Sequence, residues 1–277
     1  MKRILLTLEY DGTAYAGWQR QITGLAVQQV LEEALSSACG HPVTVTGASR
    51  TDAGVHALDQ KAHFDTDSTI PPEKYPFVLN TLLPPDIRVT DGREVPADFH
   101  ARFLTSGKIY TDRIGNARHG SALRRNTHWH IPVPLDEAPV RRALETLPGN
   151  HDFAAFQAAG GTAKTTIRTL HAADLDIHGN EWTLTVSGEA FLYNMVRIIA
   201  GTAAEIGQGR LEPDAFARSF ETLDRLSLGM TAPAHGLELT RVFYPDKAFT
   251  DPAALRWHDD ASPVVIPKAI NGYLTNN

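Results

Sequence analysis

The run Gly47-Ala48-Ser49-Arg50-Thr51-Asp52-Ala53-Gly54-Val55-His56-Ala57 reads as a tight loop joining two short strands, and the elements on either side of it set the fold. Thr44 and Val45 lead in along a β-branched stretch. Gly54 supplies the backbone freedom of a sharp return, and Lys61-Ala62-His63-Phe64 leads away as the next strand. Upstream, Ile4, Leu6, Leu8 and Tyr10 alternate with Leu5, Thr7, Glu9 and Asp11, which is the period of a half-buried strand over 3–11. Val27, Val30, Leu31, Ala34 and Leu35 then recur at helical spacing until Gly40-His41-Pro42 stops them. Downstream, Pro71-Pro72 opens and Pro84-Pro85 closes a short helix around 75–82, and a strand follows near 87–90. The order is β-α-β-β-α-β.

The second half repeats that order with additions. A strand is expected around 108–114, a return near 127–131, and a helix with Val140, Ala143, Leu144 and Leu147 on one face. Residues 170–177 and 182–186 alternate on both sides of His178-Gly179-Asn180, a hairpin pattern. A long helix over 190–206, a shorter one over 213–223 and a closing strand over 237–243 complete the half. No residue-level repeat links the halves. The shared element order predicts an α+β protein of two ferredoxin-like units, 1–104 and 105–245, whose sheets join into one mostly antiparallel platform with a central cleft. Residues 246–277 contain Asp251-Pro252, Ser262-Pro263 and Pro267, lack a sustained period, and read as an extension of unknown role.

One cysteine, Cys39, excludes an internal disulfide framework. No stretch approaches the length of apolar sequence that spans a bilayer, and the first residues alternate rather than forming a secretory segment, so a cytoplasmic location is expected. The net charge of −6 argues against indiscriminate coating of nucleic acid. Charge is nevertheless polarised: between Arg102 and Arg125 six basic residues face Asp112 alone, a net +5, and the remainder of the chain carries −11. Such a segment either grips a phosphate backbone or is a solvated loop. His128-Trp129-His130 puts two histidines on one strand face, but no third ligand lies near, and a half-exposed strand accounts for it without a metal.

A carboxylate held out on the Asp52 loop either carries chemistry or braces its own turn. The surrounding residues favour chemistry. Arg50 through Ala57 resemble the active-site loop of the tRNA pseudouridine synthase A family, and further blocks resemble that family in the same order. These are Glu9-Tyr10-Asp11-Gly12-Thr13-Ala14-Tyr15-Ala16-Gly17-Trp18-Gln19-Arg20-Gln21, Lys108-Ile109-Tyr110, Asp152-Phe153-Ala154-Ala155-Phe156, Phe191-Leu192-Tyr193-Asn194-Met195-Val196-Arg197 and Ala232-Pro233-Ala234-His235-Gly236-Leu237, spanning about 3–244.

The resemblance implies a pseudouridine synthase fold and isomerisation of uridine to pseudouridine at positions 38–40 of the tRNA anticodon stem-loop. It also implies a homodimer with one tRNA touching both subunits. Asp52 is then the nucleophile, Tyr110 the ring that stacks on the target base and aids proton removal at C5, and Arg197 the cation that keeps Asp52 ionised. Arg50 would contact the RNA backbone or hold the nucleotide out of its helix. Because the reaction neither oxidises nor adds anything, no cofactor or metal is expected. Each role has a plainer alternative: Tyr110 as a core strand residue, Arg197 paired with Glu189 or Glu205, Arg50 as a loop cation in water. Arg197 lies on an otherwise apolar helix, where a guanidinium needs an acid. The chain departs from the family pattern at Ser49, where glycine is expected, at Asp112, where a second aromatic follows the Lys-x-Tyr, and at Glu238, where tyrosine is common. These departures bear on substrate range more than on reaction type. A non-catalytic RNA-binding module, and more remotely a glycosidase pairing Asp52 with Asp11, are the competing readings.

Overall fold

The computed structural model describes residues 1–254; of the C-terminal extension, 255–277 therefore lie outside the described residues. The chain divides into two compact units. The first comprises 1–107 and the returning segment from 238, and the second comprises 108–237.

In the first unit, strand β1 (Lys2–Tyr10) leads to helix α1 (Val27–Cys39), then β2 (Thr46–Gly47), β3 (His56–Thr66), helix α2 (Tyr75–Leu79) and β4 (Ile87–Val95). The sheet runs β4-β1-β3, with β2 on the free side of β3, and every one of these pairings is antiparallel. That is the split β-α-β arrangement expected of a ferredoxin-like unit. Alternation along β3 sorts its side chains between two faces. Gln60, Ala62 and Phe64 face the helices, where Tyr75 of α2 meets Phe64 edge-on at 5.3 Å. Asp59, Lys61, His63 and Asp65 face the other way. There Lys61 pairs with Asp59 at 2.7 Å, and Arg3 of β1 pairs with Asp65 at 2.7 Å. Helix α1 stops where Gly40 takes φ 75°, as the sequence signal required, its N–H reaching back to Ser36 O.

In the second unit the elements are β5 (Gly107–Asn116), β6 (Trp129–Ile131), α3 (Glu137–Leu144), β7 (Gly149–Asp152), β8 (Ile167–His178), β9 (Glu181–Gly188), α4 (Met195–Gly207) and α5 (Ala215–Thr222). The sheet order is β5-β9-β8-β7, all antiparallel, with β6 parallel to the end of β5. The hairpin of β8 and β9 turns at Gly179, φ 60°. Strand β7 was not anticipated: Gly149-Asn150-His151-Asp152 has no apolar alternation, and it is a strand because β8 offers it an edge. Helix α4 begins five residues later than its apolar pattern suggests, because Asn194 takes a left-handed conformation (φ 61°) and forces a turn ahead of it. The closing strand β10 (Leu237–Phe243) runs parallel to β3, pairing Glu238 with His56 and Leu239 with Ala57, and so belongs with the first unit. A short helix α6 (Lys247–Thr250) follows.

Candidate active site

The Asp52 loop is built by contacts within the first unit. Its entry is clamped by Gln60, a fully buried glutamine on β3 whose side chain serves both backbone groups of Ser49. Its amide NH₂ donates to Ser49 O at 2.7 Å, and its carbonyl accepts from Ser49 N–H at 3.1 Å. Next, Thr51 is held twice. Its hydroxyl bonds Tyr10 OH at 2.7 Å, and its carbonyl accepts from Trp18 N–H at 3.0 Å. The turn closes through Val55 N–H to Asp52 O at 3.1 Å, with Gly54 at φ 80°. Backbone bonds thus brace the turn around the half-buried Asp52.

The segment 11–18 packs against this loop so closely that glycine is obligatory in two places. A Cβ on Gly12 would lie 2.0 Å from Val55 O. One on Gly17, which has φ +92°, would lie 2.5 Å from Thr51 O. Gly12 N–H donates to His56 Nδ1 at 3.0 Å, which ties the far end of the loop to the same segment. Two blocks noted separately in the sequence are therefore one structure. Asp11 is occupied locally: its Oδ1 accepts from Thr13 N–H at 2.9 Å and from the Thr13 hydroxyl, capping a single 3-10 turn. Burial pushes Asp11 up, and the Thr13 hydrogen bonds together with His56 more than reverse this, holding it below the usual carboxylate range. A glycosidase acid must instead stay protonated.

Arg50 lies exposed on the same loop. Tyr110 and Arg197 belong to the second unit. Tyr110 is nearly buried on β5, its ring edge-on to Phe191 at 5.1 Å. Arg197 occupies the first turn of α4. Its Nε donates to Ala232 O at 2.8 Å while Ala232 N–H donates to Arg197 O at 2.9 Å, and Nη1 donates to Asn194 Oδ1 at 2.8 Å. A guanidinium beside the positive end of a helix is poorly placed unless an anion is near. Glu205, one structural acid considered for it, is engaged elsewhere, its Oε1 accepting from Met230 N–H at 3.1 Å.

Asp112, two residues beyond Tyr110 on β5, is completely buried, and among the described residues neither of its carboxylate oxygens has a hydrogen-bond partner. Burial pushes its carboxyl up to about 7, against the pull of the Arg197 and Arg113 charges. Gly236 lies against it, since a Cβ there would sit 2.8 Å from Oδ1. The basic segment is divided between the two units. Arg102 lies in the first unit, and Arg124 is neutralised by Glu181 at 2.6 Å, which also holds His128 at 2.9 Å. His130 bonds Ala117 O at 2.7 Å.

Sequence reasoning missed Gln60 and Tyr10 as positioning residues. A glutamine inside an otherwise burying strand was the available signal.

Fold and loop together define an α+β protein that presents a carboxylate on a turn clamped by Gln60, Tyr10 and the 11–18 segment. Comparison with known sequences specifies it further. A family model described as tRNA pseudouridine synthase matches residues 7–104 and 143–245. A tRNA pseudouridine synthase A of Ruminiclostridium cellulolyticum is 46% identical over 245 residues, covering 88% of this chain and 100% of the relative. The tRNA pseudouridine synthase A 2 of Clostridium perfringens is 43% identical over 244 residues, covering 88% and 100%. The tRNA pseudouridine synthase A of Exiguobacterium sibiricum is 46% identical over 246 residues, covering 89% and 98%. The chain belongs to the tRNA pseudouridine synthase family.

Proposed function

We propose that this protein is an isomerase that converts uridine to pseudouridine at positions 38–40 of the tRNA anticodon stem-loop, acting in the cytoplasm as a homodimer and without a cofactor. The observation that carries the reading is the match of the family model across the Asp52 loop, together with the geometry of that loop. The loop is tied at Ser49, Thr51 and Val55, which fixes the position from which Asp52 is presented.

The reaction breaks the C–N glycosidic bond, turns the base and joins its C5 to the same sugar carbon, so every atom of the uridine except the displaced C5 proton is retained. Asp52 serves as the nucleophile and must be ionised in a site that excludes water. Arg197 supplies the opposing charge, and its position in the first turn of α4 gives that guanidinium a reason to seek a carboxylate. Tyr110, rigid on β5 and set against Phe191, stacks on the flipped base and assists removal of the C5 proton. Arg50, exposed two residues before the nucleophile, contacts the RNA backbone.

Asp52→Asn tests the assignment directly. The variant is expected to bind unmodified tRNA transcript with wild-type affinity and to form no pseudouridine when the product is mapped by position. A variant that still converted uridine would remove Asp52 from the mechanism. A wild-type protein that bound but converted none would return the chain to the class of RNA-binding modules.

A further inference from the structure

Asp112 lies wholly within the second unit, completely buried on β5, and among the described residues neither of its carboxylate oxygens accepts a hydrogen bond. Desolvation penalises a charge in such a place and no donor offsets it. The neutral acid is therefore the form that fits, and the carboxyl is pushed up to about 7. Over it lies the segment 232–236. A Cβ on Gly236 would meet Asp112 Oδ1 at 2.8 Å, Arg113 O at 3.0 Å and Trp129 Cβ at 3.4 Å, so the turn rests on the carboxyl with no side chain between them. The other end of the same turn belongs to Arg197. Its Nε donates to Ala232 O at 2.8 Å, Ala232 N–H donates back to Arg197 O at 2.9 Å, and Leu237 N–H closes the turn on Ala234 O.

Ionising Asp112 would put a charge under that turn which must gain water or a donor. Its surroundings hold charged and titratable groups, none of them hydrogen-bonded to it. Arg113 follows on β5, and β9 places Leu184 opposite, between Thr183 and Thr185. Strand β6 brings Trp129, whose neighbours His128 and His130 are bonded to Glu181 and to Ala117 O. Helix α4 brings the charge of Arg197, and the turn itself carries His235 and leads into Glu238. Pro233, Ala234 and His235 are half-exposed, so the turn is the part that can lift to admit solvent. Lifting it draws Ala232 away from Arg197. We infer that Asp112 is a positioning residue for Arg197: as the neutral acid it seats the 232–236 turn that fixes the guanidinium, and as the anion it unseats the turn and releases the guanidinium.

The consequence for catalysis rests on the reading in which Arg197 serves the nucleophile, and two measurements keep the inference and that reading apart. Exchange of the Ala232 amide requires no activity. In wild type it should accelerate beyond its intrinsic pH dependence between pH 6 and 8.5, and in Asp112→Asn, which keeps the shape and cannot ionise, it should follow the intrinsic curve. Conversion of uridine in unmodified tRNA transcript is followed over the same range. Wild-type kcat should fall about tenfold between pH 6 and 8 with KM unchanged, because a released cation costs the chemical step rather than RNA binding, and Asp112→Asn should show no such fall. Gly236→Ala forces the turn off its seat at any pH, so it should speed Ala232 exchange and lower kcat across the whole range. Intrinsic exchange at Ala232 in wild type, a loss of kcat that persists in Asp112→Asn, a pH effect on KM alone, or a Gly236→Ala protein with wild-type exchange and kcat overturns the positioning role. Exchange that responds to pH in wild type only, in a protein that forms no pseudouridine at any pH, would uphold the seat of the turn and overturn the functional reading instead.

Discussion

At the scale of single residues, Asp112 makes the plainest quantitative statement. Its carboxyl, with an ordinary value of 3.8, is pushed up to about 7 by burial without hydrogen bonds. The folded protein therefore keeps a proton that the unfolded chain releases. Stability falls as pH rises from about 4 to about 7, and the cost is complete above that. Asp112→Asn, which removes the charge and keeps the shape, should be more stable than wild type by about 2–4 kcal/mol at pH 8 and equal to it near pH 4. Urea denaturation at the two pH values measures this. Equal stability at pH 8 would mean that water or a counter-charge reaches the carboxylate. Gly17 gives a second residue-scale expectation. Gly17→Ala meets both a positive φ and Thr51 O at 2.5 Å, so a loss of at least about 2 kcal/mol is expected, with reduced conversion because the Asp52 loop must move. A variant with wild-type stability and turnover would show that segment 11–18 does not fix the loop.

At the scale of elements, the strands flanking Asp52, the hairpin turning at Gly179 and the helix ending at Gly40 could all be read from periodicity and punctuation, because each is decided by its own residues. Strand β7 could not, since its pairing is supplied by β8, and neither could the late start of α4, which Asn194 imposes through an unusual backbone angle. Of the candidate site, the loop was legible and its supports were not. Gln60 and Tyr10 acquire their roles only when β1 and β3 lie side by side. The fastening of the 96–104 turn to β3 yields a prediction of this size. His63 must be neutral to accept from Ala101 N–H, and burial lowers it to about 4. Its contribution is fully present above pH 6.5 and is lost as pH falls toward 4, opposite in slope to that of Asp112. Amide exchange at Ala101 should accelerate between pH 6.5 and 5 beyond the intrinsic dependence. His63→Gln, which can still accept, should remove that acceleration. If exchange follows the intrinsic curve in wild type, the turn is held by something other than His63.

At the scale of the whole molecule, the question is how a chain with net charge −6 holds a polyanion. Its basic segment is partly spent internally, as Arg124 against Glu181 shows. Affinity for a phosphate backbone grows with each phosphate neutralised, so in the proposed homodimer the cations of two copies would add along one RNA. The protein is accordingly expected to sediment at twice its 30.3 kDa chain mass. A stoichiometric titration should break at one tRNA per two chains if a single RNA lies across both copies. Its log binding constant should fall linearly with log salt, losing about 0.7–0.9 in slope for each phosphate engaged. A monomer that binds one tRNA per chain would show that one copy is sufficient. A flat salt response would show that the phosphates are not what the protein grips, and would take the homodimer argument with it, since charge is the reason for the second copy.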